Sequence, residues 1–211
     1  MKKIFLLTGI LASLISVSFG QKKAVTETGE EVILYTNGTW KYLNDSAGSN
    51  SEVKTNPKIF KKSANATFLI KSKKFNIGLW VDSKKWSFKK ATSNEEAEYE
   101  LELKGKDLYG MMLTESIELP LESMKTVALS NARSSAVDAH VVKEEYRTVN
   151  NKKVLLMQID GTTQGIKFSY YGYYFSNSKG TVQLVTYTAQ NLLSDYLNEI
   201  EELLNGLATI E

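Results

Sequence analysis

From Lys153 onward the apolar positions recur at every second residue, and further on at a spacing of about 3.6. Residues 154–159, 166–175 and 182–187 are rich in β-branched and aromatic side chains and are separated by turns containing Gly, Asn or Ser, a pattern that predicts three strands. After Tyr187 the residues Leu193, Tyr196, Leu197, Ile200, Leu203, Leu204 and Leu207 share one helical face. That stripe predicts an amphipathic helix over 193–207. The strand at 166–175 carries Phe168, Tyr170 and Tyr174 on one face and Tyr171, Tyr173 and Phe175 on the other. Exposed, either row would be a large adhesive patch, so this strand is expected to be central and covered on both sides.

The upstream pattern supplies the rest of the domain. Residues 98–103 alternate strictly, with Tyr99, Leu101 and Leu103 inward and Glu98, Glu100 and Glu102 outward, and Gly105-Lys106-Asp107 turns them into a strand over 108–117. Pro120 opens a helix, with Glu122 near its positive end, Arg133 near the other, and Leu121, Met124, Val127, Ala128 and Ala132 forming a stripe that packs on a sheet. Strand returns at 140–149, Asn150-Asn151 makes a tight turn, and residues 161–165 make the next. Short strands are expected over 67–70, 76–81 and 86–89. The predicted fold class is α+β, an antiparallel sheet covered by helices on both faces, occupying residues 59–211.

Before that domain lie three segments of different character. Lys2 and Lys3, an apolar run over 4–17 and the small residues Ser18 and Gly20 form a signal-peptide pattern over 1–20, with cleavage expected before Gln21. The run is too short to span a bilayer comfortably, and no other stretch approaches eighteen apolar residues, so no transmembrane segment is expected in the mature chain. Residues 21–43 read as a small β-hairpin unit whose Asn37-Gly38 turn joins strands at 32–35 and 39–42. Residues 44–58 hold one large aliphatic residue and no aromatic one, too little to offset the entropy of ordering, and read as a disordered linker. Within it, Asp45-Ser46-Ala47 matches the acceptor pattern of some bacterial periplasmic O-glycosylation systems, which makes Ser46 a candidate acceptor.

Two resemblances follow from these residues. Gly29, Val32, Leu34, Asn37, Gly38, Thr39, Trp40 and Tyr42 resemble a short Gly-Thr-Trp-x-Tyr element found near the start of many exported bacterial proteins. Over residues 64–210 the order of elements is similar to the PsbP-like α/β/α sandwich. The residues that carry this are Phe75-Asn76-Ile77-Gly78-Leu79-Trp80, Trp86, and residues 165–174 and 182–187 leading into the closing helix. That fold is named for an extrinsic photosystem II protein and is shared by a Ran-binding nuclear import factor and several bacterial envelope proteins. The resemblance implies a docking or accessory domain and transfers no catalytic residue.

Composition narrows the chemistry. The chain has no cysteine, which removes disulfides, thiolate metal sites and cysteine nucleophiles together. His140 is the sole histidine, Asp138 lies two residues before it, and no Gly-x-Ser-x-Gly elbow accompanies them; an ordinary edge-strand histidine is the expectation. Glu95, Glu96, Glu98, Glu100 and Glu102, and Glu199, Glu201 and Glu202 on the last helix, are expected on solvated faces rather than in a glycosidase-like groove. There is no phosphate-binding glycine loop and no calcium-loop pattern. No catalytic, cofactor or metal site is therefore predicted.

Charge is the one feature above background. Residues 54–90 hold eleven lysines against one acid, Asp82. Lys61, Lys62, Lys71, Lys73, Lys74, Lys84, Lys85, Lys89 and Lys90 are interleaved with aromatics and form the candidate surface contact. In an exported protein the partner expected is an envelope protein or an anionic surface rather than nucleic acid. The reading that results is a non-enzymatic, periplasmic or secreted binding domain of the cell envelope. The alternative is a carrier of a small ligand or lipid, with a pocket between the sheet and a helix.

Overall fold

The computed structural model describes residues 22–25, 31–35, 40–42 and 53–210. The expected signal peptide and its cleavage point, Ser46, and residues 44–52 of the expected linker lie outside them. The chain divides into two units, Met1–Asn50 and Ser51–Glu211. In the first, strands β1 (Lys22–Val25), β2 (Glu31–Leu34) and β3 (Trp40–Tyr42) form one antiparallel sheet in that order. β1 adds a strand to the expected hairpin, and the Asn37-Gly38 turn lies outside the described residues.

The second unit begins earlier than residue 59. Thr55–Phe60 is a strand, β4, and its backbone pairs in parallel with His140–Val149, β10. The linker expected over 44–58 therefore ends sooner. Its composition gave no sign of this, because only Phe60 in β4 is buried and the strand is held by ladder hydrogen bonds rather than by an apolar face.

The remaining elements are β5 (Phe68–Lys71), β6 (Ile77–Val81), β7 (Trp86–Lys90), β8 (Ala97–Leu103), β9 (Tyr109–Glu115), helix α1 (Leu121–Ser135), β11 (Lys152–Thr163), β12 (Ile166–Asn177), β13 (Gly180–Ala189), helix α2 (Leu193–Leu204) and β14 (Leu207–Thr209). Eight strands make one sheet in the order β4-β10-β11-β12-β13-β9-β8-β7, while β14-β6-β5 make a second, three-stranded sheet. Asn150 and Asn151, at φ 45° and 64°, form the two-residue turn between β10 and β11. The next turn is shorter than residues 161–165: it is made by Gln164 and Gly165, at φ 49° and 79°, and Gly161 lies inside β11. A side chain at Gly161 would meet Ala136 and Phe168 at 3.1 Å.

β12 lies in the middle of the large sheet, and its alternate residues enter two separate cores. Tyr171, Tyr173 and Phe175 pack with Leu156, Leu184 and Trp86, under Ile200, Leu203 and Leu204 of α2 and Ile77, Leu79 and Val81 of the small sheet. Tyr174, with Phe168 and Tyr170 at the margin, packs with Leu155, Met157 and Ile159 against Met124, Ala128 and Ala132 of α1. The double-sided burial expected of β12 is what this strand shows. The two-helix sandwich is only part of the architecture, however, because a three-stranded sheet shares the cover on one face and strands dominate the unit.

Two helix expectations need correction. In α1, Leu129 is buried and Val127 is exposed. α2 ends at Leu204 rather than 207, since Asn205 and Gly206 turn the chain and Leu207 pairs with Leu79 in β14. A Cβ on Gly206 would lie 2.0 Å from the Trp80 carbonyl oxygen, so glycine alone allows the backbone to approach that closely. The same approach gives the hydrogen bond from Trp80 N–H to the Gly206 carbonyl at 2.9 Å. No helix among the described residues is long and apolar enough to cross a membrane.

Candidate functional site

All nine candidate lysines are exposed, but the fold does not gather them into one patch. Lys71, Lys73 and Lys74 lie at one end of the five-residue strand β6, and Lys84 and Lys85 at the other, roughly 15 Å apart at the usual strand rise. Lys61 and Lys62 follow β4, and Lys89 and Lys90 are on β7, the outermost strand of the large sheet. Three of the nine are paired with acids. Lys74 reaches Glu115 at 2.8 Å, Lys85 reaches Glu202 at 2.6 Å, and Lys89 reaches Glu100 at 3.1 Å. Lys62 lies over the Trp80 ring at 5.1 Å and donates to the Ala66 carbonyl. Among the described residues, the ammonium groups of Lys61, Lys71, Lys73, Lys84 and Lys90 make no ion pair.

The glutamates expected to be solvated are also more engaged than their spacing suggests. Glu100 accepts hydrogen bonds from the Ser93 hydroxyl and the Ser93 and Thr92 amides. These bonds, with Lys89, hold its carboxyl well below the ordinary range, at about 2. Burial raises the Glu98 carboxyl, but hydrogen bonds from Ser72, Thr114 and the Lys73 amide outweigh it and leave the group below its ordinary value. Glu95, Glu96 and Glu98 line a hollow together with Lys73, Lys74 and Lys90, so this end of the basic segment carries mixed charge. His140 is exposed, with Nδ1 at 3.0 Å from the Asp138 carbonyl oxygen, while the Asp138 carboxylate accepts the Thr162 amide at 2.7 Å. The carboxylate and the ring thus serve separate local bonds.

A network that spacing did not reveal crosses the α2 side of the sheet. Arg147, 3% exposed, donates to Tyr173 Oη and Glu201 Oε1 at 3.0 Å each and to Glu145 Oε1 at 2.5 Å. Tyr171 also donates to Glu201, and Tyr173 donates to Asn205. Glu201 had been expected on the polar face of its helix. These side chains come from β10, β12 and α2, so only the tertiary fold brings them together, and their mutual satisfaction marks them as structural.

A concavity lies on the opposite side, between α1 and the large sheet. It encloses about 270 Å³. Its floor is Ile159, Tyr170, Tyr174 and Val185, with Met111 and Leu113 from β9. From the helix come two small residues, Ala128 and Ala132, and a polar rim of Asn131, Ser134 and Ser135. Gly172 leaves no side chain standing between Tyr170 and Tyr174 on this face, and a Cβ there would lie 2.7 Å from the Leu184 carbonyl oxygen. Tyr174 is 2% exposed, yet its hydroxyl makes no hydrogen bond among the described residues. Burial pushes that phenol above its ordinary range, with Tyr170 adding to the effect. Beyond the cleft the aromatic row continues across the sheet, with Tyr170 edge-on to Tyr187 at 6.1 Å and Tyr187 stacked on Tyr109 at 5.6 Å. Sequence reading anticipated a pocket between the sheet and a helix but not its lining, since Asn131, Ser134 and Gln183 carry no pattern of their own.

No protein-family model matches the chain. No curated protein matches it either. Solved structures do. The cyanobacterial PsbP, CyanoP, from Synechocystis sp. PCC 6803 superposes with a TM-score of 0.51 over 67% of this chain and 91% of its own, at 7% identity. PA94 from Pseudomonas aeruginosa gives 0.45 over 68% and 97%, at 9% identity. LpqN, involved in cell envelope biogenesis of Mycobacterium tuberculosis, gives 0.42 over 64% and 83%, at 7% identity. The chain has a PsbP-like fold. At such identities the likeness bears on the fold and not on individual residues.

Proposed function

From the PsbP-like fold and its cleft, we propose that this chain is an exported, non-enzymatic binding domain of the bacterial cell envelope that recognises a small molecule beneath α1. One observation carries the reading: a concave site with an aromatic and aliphatic floor and a polar mouth, a form that small-ligand sites take. Export rests on the N-terminal pattern of Lys2, Lys3 and the apolar run that follows. The non-enzymatic reading is supported by the chemistry around the titratable groups. His140 Nδ1 and the carboxylates of Asp138, Glu98, Glu100, Glu145 and Glu201 each take part in a hydrogen bond within the fold. The volume narrows the carrier alternative: it is far too small for a diacyl lipid and suits a compact molecule.

The test is native mass spectrometry of the full mature chain purified from the envelope fraction, beside the Asn131→Trp variant, which places an indole at the cleft mouth. A co-purifying small molecule lost in the variant is expected. A molecule retained equally by both proteins would overturn the cleft reading. Recovery of the chain from the cytoplasmic fraction alone would overturn export.

A second reading, contact with an anionic surface, is favoured by the five exposed lysines without an acid partner. Such a contact is electrostatic and is strongest at low salt. Mature protein should co-sediment with phosphatidylglycerol vesicles at low ionic strength and lose that binding when Lys61, Lys71, Lys73, Lys84 and Lys90 are replaced by Ser. No co-sedimentation at low salt disposes of this reading.

A further inference from the structure

The cleft also selects a class of ligand. Resting on the proposal that it binds a small molecule, we infer that its ligand is a compact, uncharged amphiphile: an aromatic or short-chain body of on the order of a dozen non-hydrogen atoms with one hydrogen-bonding group directed at Tyr174.

Three features of the site lead there. The first is size. An apolar cavity of about 150 Å³ holds a benzene molecule, and this cleft encloses about 270 Å³. The second is charge. No lysine or arginine lines the cleft, and its one carboxylate, Glu96, is exposed at the rim. A carboxylate or phosphate drawn into it would lose hydration and gain no cation in return. The third is the Tyr174 hydroxyl. Its neighbours on the other face of β12 are all engaged, Tyr171 with Glu201 at 3.1 Å and Tyr173 with Asn205 at 2.9 Å. A buried phenol ordinarily finds a partner. Tyr174 lines the cleft with its hydroxyl uncommitted, able both to donate and to accept, so a single hydroxyl, carbonyl or amide on a ligand completes it. Apolar contact with Met111, Leu113 and Val185 then holds the body, and the small Ala128 and Ala132 leave it room under the helix.

The experiment is a fluorescence titration of the full mature chain with 2-naphthol, a neutral probe of suitable size, and with 2-naphthoate, its anionic counterpart. Saturable binding of 2-naphthol is expected, at least about tenfold tighter than that of 2-naphthoate. Tyr174→Phe should weaken it about fivefold, the usual worth of one neutral hydrogen bond. Tyr171→Phe, on the opposite face, should leave it unchanged. Asn131→Trp, at an exposed helix position and with its fold verified by circular dichroism, should abolish it. Equal affinity for both probes, with no effect of Tyr174→Phe but loss in Asn131→Trp, overturns the ligand class and leaves the cleft as a binding site. Absence of 2-naphthol binding overturns the ligand class as well. Binding unaffected by Asn131→Trp overturns both proposals.

Discussion

Arg147 on β10 holds Glu201 on α2 at 3.0 Å, so a buried guanidinium ties the closing helix to the sheet it covers. The same side chain stacks over the Phe60 ring at 4.4 Å, which brings β4 into the contact. Burial alone disfavours the charged guanidinium, but the bonds to Tyr173 and Glu145 outweigh it, and the group stays ionised. Removing Arg147 leaves the partly buried Glu145 and Glu201 carboxylates without their cation. Arg147→Met is therefore expected to destabilise the second unit by about 3–5 kcal/mol, read as a lower urea midpoint with an unchanged slope. Arg147→Met combined with Glu201→Leu should recover part of that loss, because no orphaned carboxylate remains on α2.

Acid should weaken the fold through its depressed carboxylates. Burial raises the Glu145 carboxyl, but the bonds from Arg147 and Asn56 outweigh it, so the folded value lies below the ordinary 4.5. Glu98 behaves likewise, and Glu202 is held down by Lys85. A carboxylate with a lowered folded value contributes stability that is fully present above its unfolded value and is lost as pH falls through the folded one. Thermal midpoints are thus expected to be flat above about pH 5 and to fall steadily below it. A profile flat down to pH 3 would contradict these assignments.

Gly206 sets where α2 stops. Its missing side chain lets the chain reach the Trp80 carbonyl, and the contact aligns β14 with β6. Gly206→Ala must displace backbone rather than a flexible side chain, and a loss of about 2 kcal/mol or more is expected. Hydrogen exchange should show the loss first at the amides of Trp80 and Leu79.

Lys89 and Lys90 sit on β7, the edge of the large sheet, where a row of unpaired backbone groups would invite another strand. Replacing both with Val is expected to change the unfolding free energy by no more than about 1 kcal/mol but to produce light-scattering aggregates on standing. Unchanged solubility at high concentration would remove edge protection as the reason for these lysines.

The sequence alone determined the identity of the central strand and the type of every long element of the second unit. Period-two aromatics on both faces of β12 can be buried only by layers on both sides, and Pro120 and the alternation over residues 98–103 announce their elements by local chemistry. The PsbP-like order was legible for the same reason, being an order of local patterns. What joins those patterns across distance was decided by the tertiary structure. β5 and β6 read as strands, but their departure into a second sheet depends on β14, a segment whose apolar residue Leu207 continues the helical stripe and leaves the helix only because Gly206 meets Trp80. β4 reads as linker because its stability comes from a backbone ladder, which leaves little trace in side-chain polarity. The lysines form a dense run in the chain, and the strands then carry them to opposite ends of β6 and to the β7 edge, three of them paired with glutamates. The cleft was least legible of all. Its walls come from four strands and one helix, and the property that defines it, a tyrosine hydroxyl without a partner beside one that has one, arises from which face of β12 each residue occupies.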